Sequence, residues 1–372
     1  MDFEATLKVV AAALNDEGPA VEILPGDTTG SHRIETPQDA PEGTAAVVRT
    51  SGSTGTPKRT VLPANALAVS SMSTAEYLGA EGQWLLALPV HYVAGLAVLT
   101  RSLYAGTRPW AMDLSTSFTA EAFTAAAGEL TDKVRMTSLV PTQLARLLTD
   151  PAPETIAALR RFNTILLGGG PASDSLRASA RSHGLKIIRT YGMTETCGGC
   201  VYDGEALPGV RIDTVEGRIR LGGDVLAGGY LGAPEQSAER FLVDAEGERW
   251  FTTDDLGQYE NGLLSVAGRL DDVINTGGVK VSAAAVAAAV ETVPGVRSAL
   301  VVGVPDTEWG SAVGALVTGD ATGEAIRDGV RASLGRSAVP RRLLQVSELP
   351  ELPGGKPDRR TAISQLAAAG RE

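Results

Sequence analysis

Four short segments of this sequence carry residue types that could bind a phosphorylated ligand. The first is SGSTGTPK, from Ser51 to Lys58, which combines hydroxyls, two glycines and a lysine. Glycine lets the backbone approach phosphate oxygens, amides and hydroxyls can donate to them, and a lysine adds positive charge. The same composition occurs in exposed turns after strands. It is not the P-loop pattern GxxxxGK[ST], because no serine or threonine follows Lys58.

The other three segments offer groups that complement a nucleotide. Tyr191 to Glu195 (YGMTE) provides an aromatic face for a base, a hydroxyl for a phosphate and a carboxylate for Mg²⁺. The alternative for YGMTE is a strand end followed by a helix cap. Asp255, followed later by Arg269, suits ribose hydroxyls, the alternative being a solvated turn with an ion pair. Lys356 lies in PGGKP, which by itself indicates only an exposed lysine.

Apolar runs predict the elements that position these segments. A strand at Ala45–Val48 leads into the first segment. A strand at Thr164–Leu167, a glycine-rich turn, a helix capped at Ser173 and a strand at Leu185–Ile188 lead into the second. This order is typical of an α/β fold, in which ligands bind at the carboxyl ends of the strands. We also predict helices at 65–78, 120–129 and 142–148, a strand at 136–140 and a small β unit at 211–264.

A polar, turn-prone segment at Gly268–Asp272 predicts a domain boundary. We therefore divide the chain into an N-terminal domain at 1–268 and a small α+β C-terminal domain at 269–372. In the smaller domain the sequence predicts helices at 282–292 and 324–334 and strands at 299–304 and 312–317.

The overall composition is that of an ordinary globular protein. Of 372 residues, 43% are hydrophobic and 21% are charged, and the formal net charge is −11. This charge argues against binding to nucleic acid or to an anionic membrane. The first 18 residues indicate an amphipathic helix rather than a signal peptide. The apolar segment Trp84–Thr100 includes a proline and His91, so it predicts a buried strand, turn and helix rather than a membrane span. We expect a cytoplasmic protein.

Cys197 and Cys200 form a lone CGGC sequence. This spacing suits a redox pair or half of a zinc site, but there is no second cysteine pair and the three histidines are not spaced as partners. The favoured interpretation is a pair of reduced thiols that fill a tight loop.

In this order and spacing, the four segments resemble the motifs SGTTGxPKG, YGxTE, TGDxG with GRxxD, and PxxxxGKxxR of the adenylate-forming superfamily of acyl-CoA ligases. The resemblance spans residues 45 to 360. It implies a large multi-sheet N-terminal domain, truncated relative to the superfamily, and a small mobile C-terminal domain. It also implies two half-reactions: a carboxylate attacks the α-phosphate of ATP to give an acyl-adenylate and pyrophosphate, and the thiol of CoA then displaces AMP.

The resemblance also implies a role for each matching residue. The β- and γ-phosphates would be held by Ser51, Gly52, Ser53, Thr54, Gly55 and Lys58. The adenosine would be bound by Gly170, Pro171, Tyr191, Gly192, Asp255 and Arg269, with Asp255 on the ribose. The α-phosphate would contact Thr194, Mg²⁺ would bind Glu195, and Lys356 would bridge the carboxylate and α-phosphate in the first step only. CoA would meet Gly277, Gly278 and Lys280, and the hinge would be Asp271.

Within the superfamily, the short region before the first motif and the segments around residues 84–107 and 190–210 resemble the actinobacterial 2-succinylbenzoate–CoA ligases of menaquinone synthesis. That substrate has a second carboxylate, for which Arg101 is the predicted partner. The alternative is an arginine that reaches solvent from a helix end. His91, Tyr92 and Gly168 are the other expected acyl contacts. The family's HxxG histidine position holds Tyr92 here, with His91 one residue earlier.

Two other functions remain open from the sequence. A different aryl- or acyl-CoA ligase would keep all four motifs and lose only the argument from Arg101. A non-catalytic adenylate-binding protein would not need Lys356. We expect only small-molecule partners, namely ATP, CoA and the acid, with no nucleic acid and no membrane insertion, and leave a homodimer open.

Overall fold

A computed structural model of the protein describes residues 3–28, 30–50, 57–352 and 357–369. In the first part of the chain the elements are α1 (Phe3–Leu14), β1 (Val21–Pro25), β2 (His32–Glu35), β3 (Thr44–Thr50), β4 (Lys58–Pro63), α2 (Ala64–Leu78), β5 (Gln83–Leu86), α3 (Val93–Tyr104), β6 (Trp110–Ala111), α4 (Ala120–Gly128), β7 (Arg135–Leu139), α5 (Pro141–Leu148), α6 (Pro153–Arg160), β8 (Thr164–Leu167), α7 (Asp174–Ser182), β9 (Ile187–Met193), β10 (Gly198–Tyr202) and β11 (Glu205–Ala206).

The remaining elements are β12 (Arg211–Val215), β13 (Arg218–Gly222), β14 (Gly229–Tyr230), α8 (Pro234–Arg240), β15 (Phe241–Val243), β16 (Arg249–Glu260), β17 (Leu263–Arg269), β18 (Val273–Thr276), β19 (Val279–Ser282), α9 (Ala283–Glu291), β20 (Val296–Asp306), β21 (Gly310–Gly319), α10 (Gly323–Leu334), β22 (Arg342–Gln345) and α11 (Arg359–Ala369). Short 3₁₀ turns lie at Thr194–Thr196, Leu270–Asp272 and Arg336–Ala338.

The first sheet has the strand order β14-β4-β3-β1-β2. β3 and β4 are antiparallel neighbours, so the segment between Thr50 and Lys58 connects two paired strands. Strand β14 comes from much later in the chain and pairs with the outer edge of β4. The first sheet is therefore completed by residues that lie far from it in sequence.

The second sheet has the order β11-β10-β9-β8-β7-β5-β6. Strands β5 to β9 are parallel to one another, whereas β10 is antiparallel to β9. Both of its faces are covered, as parallel strands require. Along β5, Trp84 and Leu86 belong to one hydrophobic cluster with α1, α2 and α3, whereas Leu85 belongs to another with α4 to α7. The loops after β8 and β9 emerge at the carboxyl edge, where a ligand site is expected.

Two further sheets complete the described structure. β12, β13, β16 and β15 form an antiparallel sheet with β17 paired to β16. The C-terminal sheet has the order β19-β18-β21-β20, with β22 parallel to β21. Helices α9 and α10 pack on one of its faces, and α11 packs on the other.

The predicted α/β fold with a small α+β C-terminal unit is confirmed. Helix caps follow the sequence closely: Ser173 and Ser282 each accept a backbone amide at the start of a helix, as an N-cap serine does. The strand predicted at Leu185–Ile188 is placed too early, because β9 runs from Ile187 to Met193 and contains Tyr191. Trp84–Thr100 forms the predicted strand, turn and helix. Within the described residues, no helix is both long and apolar enough to cross a membrane.

Candidate active site

The carboxyl edge of the second sheet begins with the glycine turn after β8. A Cβ on Gly168 would lie 2.3 Å from the Thr190 side-chain oxygen, so only glycine fits against β9 there. Gly169 has a φ of 82°, which turns the chain away from the strand. Gly170 and Pro171 follow on the exposed side of this turn. The turn thus packs against Thr190, the residue before Tyr191, and exposes Gly169 and Gly170 to solvent.

Tyr191, Asp255 and Arg269 come together although they lie on three different strands. The Tyr191 hydroxyl donates to Asp255 Oδ2 at 2.7 Å, and Arg269 Nη1 donates to Oδ1 at 3.2 Å. Asp255 on β16 and Arg269 on β17 are direct cross-strand partners. Burial raises the pKa of Asp255, and the Tyr191 hydrogen bond and the Arg269 charge oppose that rise. Burial beside Asp255 also raises the pKa of Tyr191. The carboxylate is thus fixed in a position suited to accept hydrogen bonds from paired hydroxyls.

Arg269 connects this carboxylate with the domain boundary. Its Nε and Nη2 atoms donate to the two carboxylate oxygens of Asp271 at 2.8 and 3.1 Å. Burial tends to raise the pKa of Asp271, but the Arg269 guanidinium outweighs it and the pKa is lowered. Asp271 lies in the short turn between β17 and β18. The predicted ribose ligand and the predicted hinge residue are therefore held by one arginine.

Glu195 follows β9 and points toward strand β14. Its Oε1 accepts a hydrogen bond from the Tyr230 hydroxyl at 2.8 Å. Tyr230 is 5% exposed, and burial next to Glu195 raises its pKa. Lys58 Nζ lies 4.9 Å from the centroid of the same ring, within cation–π distance. Tyr230 thus joins the first and second predicted segments, and sequence analysis missed it. Its position between two glycine-containing turns (GGYLG) was the available signal.

Asp254 has a different role from its neighbour Asp255. Its carboxylate accepts from Arg240 Nη1 and Nη2 at 2.6 and 3.0 Å, and Arg218 adds a longer contact of 3.4 Å. The two aspartates point in opposite directions because they are consecutive on β16. The alternative of a solvated turn with an ion pair is wrong about the turn, since both residues lie within a 12-residue strand, but the structure does contain the ion pair between Asp255 and Arg269.

The carboxylate of Glu195 fits Mg²⁺ in chemical terms. Magnesium prefers oxygen ligands and commonly binds one or two carboxylates together with substrate phosphates. In the described part of the chain, no group of three or more histidine, cysteine, aspartate or glutamate side chains could form an all-protein cage. A magnesium ion at Glu195 would therefore need phosphate oxygens to complete its coordination.

The predicted acyl contacts lie at the start of α3. Tyr92 is the residue that precedes the first turn of the helix, and its ring centroid is 4.3 Å from that of His91. Both side chains are half-buried. Burial lowers the pKa of His91, which favours the neutral imidazole, and raises the pKa of Tyr92. Both rings are thus uncharged hydrogen-bonding groups near neutral pH.

Arg101 lies two turns further along α3 and is only 7% exposed. Its Nη2 donates to the Tyr202 hydroxyl at 3.1 Å, and its guanidinium carbon lies 5.3 Å from the centroid of the Trp84 ring. Its Nε is buried and has no hydrogen-bond partner among the residues that the structure describes. The alternative of a solvent-reaching arginine is therefore wrong. A cavity of about 240 Å³ borders Arg101 and Trp84 at the amino ends of β5 and β7.

The two cysteines are buried and unbonded, as predicted for reduced thiols. Only Cys197 lies in a tight turn, with a φ of 53° between the 3₁₀ turn and β10, whereas Cys200 lies within β10. Burial raises the pKa of both thiols, that of Cys200 to about 12. Neither thiol has the low pKa that redox or metal chemistry requires.

The segment predicted to meet CoA is a β-hairpin. Gly277 and Gly278 form its two-residue turn between β18 and β19, with φ of 57° and 82°. A Cβ on Gly277 would lie 2.4 Å from the Trp309 ring. Both glycines are therefore required by the turn itself. Lys280 is exposed on β19, and a CoA role for these residues stays a prediction.

Other predicted residues fall outside the described ranges or have a packing role. Gly192 is needed between β9 and β10, because a Cβ there would lie 2.1 Å from the Gly198 carbonyl oxygen. Thr194 is buried at the start of its 3₁₀ turn. The residues predicted for phosphate binding and adenylation that lie outside the described ranges are Ser51, Gly52, Ser53, Thr54, Gly55 and Lys356.

Comparison with known proteins gives consistent matches over most of the chain. Residues 3–252 match the family described as AMP-binding enzyme, and residues 285–356 match its C-terminal domain. A probable 2-succinylbenzoate–CoA ligase of Mycobacterium tuberculosis is 43% identical over 334 residues, covering 87% of this chain and 85% of that protein. The 2-succinylbenzoate–CoA ligase of Escherichia coli is 31% identical, covering 85% of this chain and 67% of that protein.

Solved structures also match most of this chain. The o-succinylbenzoate CoA synthetase of Bacillus subtilis, in complex with the acyl-adenylate intermediate OSB-AMP, aligns with a TM-score of 0.70 at 28% identity. The alignment covers 88% of this chain and 70% of that one. ATP-bound MatB from Rhodopseudomonas palustris aligns with a TM-score of 0.75 at 26% identity, covering 89% and 69% of the two chains.

Proposed function

We propose that this chain, which belongs to the AMP-binding enzyme family, is an ATP-dependent 2-succinylbenzoate–CoA ligase that serves menaquinone biosynthesis. In the first half-reaction a carboxylate oxygen of the acid bonds to the α-phosphorus of ATP, and the bond to pyrophosphate breaks. In the second, the sulfur of CoA bonds to the acyl carbon, AMP leaves, and the thiol proton is released. We propose a cytoplasmic, Mg²⁺-dependent enzyme.

The observation that supports the choice of acid is that Arg101 is buried. A buried cation is costly without an anion, and among the described residues Arg101 forms no ion pair with a carboxylate. Its partner Tyr202 pairs across the sheet with Thr190, the residue before Tyr191. Through Tyr202, Arg101 is thus connected to β10, the strand next to β9, which carries Tyr191. An acid with a second carboxylate supplies the missing anion.

The nucleotide roles follow from the cluster around Asp255. We assign Asp255 to the ribose hydroxyls, Tyr191 with Gly170 and Pro171 to adenine, and Arg269 to steadying both the carboxylate and the nucleotide. Tyr191, Asp255 and Arg269 already lie in contact, so binding ATP requires little reorganisation of these three side chains. A magnesium ion bound through Glu195 would neutralise phosphate charge. Lys58, whose Nζ lies 4.9 Å from the centroid of the Tyr230 ring, is assigned to the leaving pyrophosphate.

The second half-reaction involves the C-terminal domain. We assign Lys356 to the first step, where a cation between the attacking carboxylate and the α-phosphate offsets developing charge. Rotation about Asp271 would then remove this lysine and make room for CoA. In the structure Asp271 is bound by Arg269, so the hinge moves only when that ion pair rearranges. Gly277, Gly278 and Lys280 are assigned to CoA.

The test is isotope exchange between ATP and pyrophosphate in the presence of single carboxylic acids. We expect exchange with 2-succinylbenzoate, and much weaker exchange with benzoate or a fatty acid. Exchange with another acid but not with 2-succinylbenzoate would overturn the choice of substrate in favour of a different acyl-CoA ligase. Absence of exchange with every acid tested would leave only the non-catalytic adenylate-binding function.

A further inference from the structure

We infer that Tyr202 is a positioning residue that holds Arg101 in place and thereby sets selectivity for an acid with a second carboxylate. This inference rests on the proposed function, because it assigns a role in recognising the same substrate. Tyr202 lies at the end of β10, and its side chain is fully buried. No sequence motif points to it.

The hydrogen bonds around Tyr202 have a defined direction. Thr74 Oγ1 donates its single proton to the Ser70 carbonyl at 2.8 Å, one turn back on α2. Thr74 Oγ1 also lies 3.1 Å from the Tyr202 hydroxyl oxygen. Since its proton is already used, it can only accept a hydrogen bond there, and the Tyr202 hydroxyl donates to it. This leaves the lone pairs of the tyrosine oxygen for Arg101 Nη2, at 3.1 Å. These hydrogen bonds form a series from Arg101 to Tyr202, from Tyr202 to Thr74 and from Thr74 to a helix carbonyl, and each bond polarises the next.

This series of hydrogen bonds holds only part of the Arg101 guanidinium. Tyr202 contacts one edge through Nη2, and Trp84 lies beside the group at 5.3 Å. Nε is buried, and no described residue accepts a hydrogen bond from it. A planar guanidinium has five N–H donors, so several remain for a ligand. Because the side chain is held before the ligand arrives, little rotamer entropy is lost on binding.

A fixed, unpaired and buried cation discriminates strongly between acids. A site built to bind a charged group rejects an analogue that lacks it, since the buried donors are then left unpaired. Without the Tyr202 hydroxyl, the guanidinium loses its one hydrogen-bond acceptor among the described residues. Arg101 would then be free to change rotamer. We therefore expect the hydroxyl to affect recognition of the second carboxylate and not the adenylation chemistry.

The experiment compares two acids in wild type and Tyr202→Phe. One is 2-succinylbenzoate, and the other is 4-oxo-4-phenylbutanoate, the same acid without the ring carboxylate. We expect Tyr202→Phe to raise KM for 2-succinylbenzoate about tenfold, the loss expected for one hydrogen bond to a charged group. KM for ATP and KM for the monocarboxylate should stay within about twofold of wild type, so the preference for the dicarboxylate falls about tenfold.

Two further variants separate positioning from packing. Tyr77→Phe is the matched control: the Tyr77 ring packs edge-on against Tyr202 at 5.3 Å, and its hydroxyl contacts Glu205 and the Tyr202 backbone carbonyl rather than the Tyr202 hydroxyl. It should leave the preference unchanged. Thr74→Val removes the acceptor of the Tyr202 proton while keeping the side-chain shape, and should lower the preference in the same direction. This variant also tests the inference if Tyr202→Phe does not fold.

Two results would overturn the inference. One is an equal loss for both acids in Tyr202→Phe, which would indicate a structural role. The other is an unchanged preference in both Tyr202→Phe and Thr74→Val. If wild type shows no exchange with 2-succinylbenzoate but does with 4-oxo-4-phenylbutanoate, the proposed substrate fails, and selectivity for a second carboxylate fails with it.

Discussion

Replacing Glu22 by glutamine should destabilise the first sheet by about 2 to 3 kcal/mol. Glu22 lies on β1 with its side chain 2% exposed. It accepts from Arg49 Nε at 2.8 Å and from Arg59 Nε and Nη2 at 3.1 and 2.7 Å. The two arginines are cross-strand partners on β3 and β4. One buried carboxylate on β1 is therefore bound by arginines from both β3 and β4. These two strands flank the first predicted segment.

The magnitude follows from how deeply each charge is buried. Removing one partner of a fully buried ion pair costs about 3 to 5 kcal/mol. The Arg49 and Arg59 side chains are 43% and 33% exposed, so water screens them and lowers this cost. For a domain of more than 200 residues, a decrease of 2 to 3 kcal/mol in the free energy of unfolding corresponds to a decrease in Tm of about 5 to 10 °C.

The sheet supplies a matched control for this measurement. Glu35 on β2 lies directly opposite Glu22 in register, but its ion pair with Arg33 is exposed. Glu35→Gln should change stability by less than about 0.5 kcal/mol. Both variants would be compared with wild type by scanning calorimetry. If Glu22→Gln and Glu35→Gln melt within 2 °C of each other, the argument from burial is wrong.

The effect should also depend on pH in a defined direction. Burial tends to raise the pKa of Glu22, but the two arginines outweigh it and hold the pKa below the ordinary 4.5. A lowered pKa in the folded state adds stability above pH 4.5 that is lost as pH falls through the folded value. The difference between wild type and Glu22→Gln should be full at pH 7 and should shrink below pH 4.5. A difference that grows on acidification would contradict the assignment.

Three further predictions concern the site. Tyr230→Phe removes the hydrogen bond to Glu195 and keeps the ring beside Lys58, so binding of magnesium ATP in an equilibrium titration should weaken about tenfold while KM for the acid is unchanged. Cys197 and Cys200 should not react with a thiol reagent in the native protein and should both react in guanidinium, because burial raises both pKa values; rapid native labelling would contradict this. Lys356→Ala should abolish pyrophosphate exchange and spare thioester formation from a supplied acyl-adenylate; equal loss in both steps would refute a role confined to the first.

Local signals in the sequence were sufficient for much of the fold. The caps at Ser173 and Ser282 and the apolar run Thr164–Leu167 depend on neighbours within a few residues, and the structure contains all three. The boundaries of β9 were less predictable. Tyr191 and Gly192 continue that strand because β10 pairs with them, and this pairing lies outside any local window.

The site was predictable only where a single residue carries the signal. Asp255 and Arg269 were placed in one predicted segment, but their direct cross-strand pairing follows from the register of β16 and β17. Tyr230 was missed because its partner Glu195 is 35 residues away, in the 3₁₀ turn that follows β9 of the second sheet. Gly277 could have been interpreted from the sequence alone, since two glycines between short β-like runs are a hairpin signal.

The pairing of β14 with β4 has a consequence for synthesis of the chain on the ribosome. Gly228 and Leu231 donate to the Val61 and Arg59 carbonyls, and these bonds cover the outer edge of β4. Their residues are translated roughly 170 positions after that edge. At about 5 to 20 residues per second, β4 remains an open edge strand for about 10 to 30 s. During this interval the nascent chain can pair with another extended segment, so aggregation at this edge should depend on the rate of translation between the two strands.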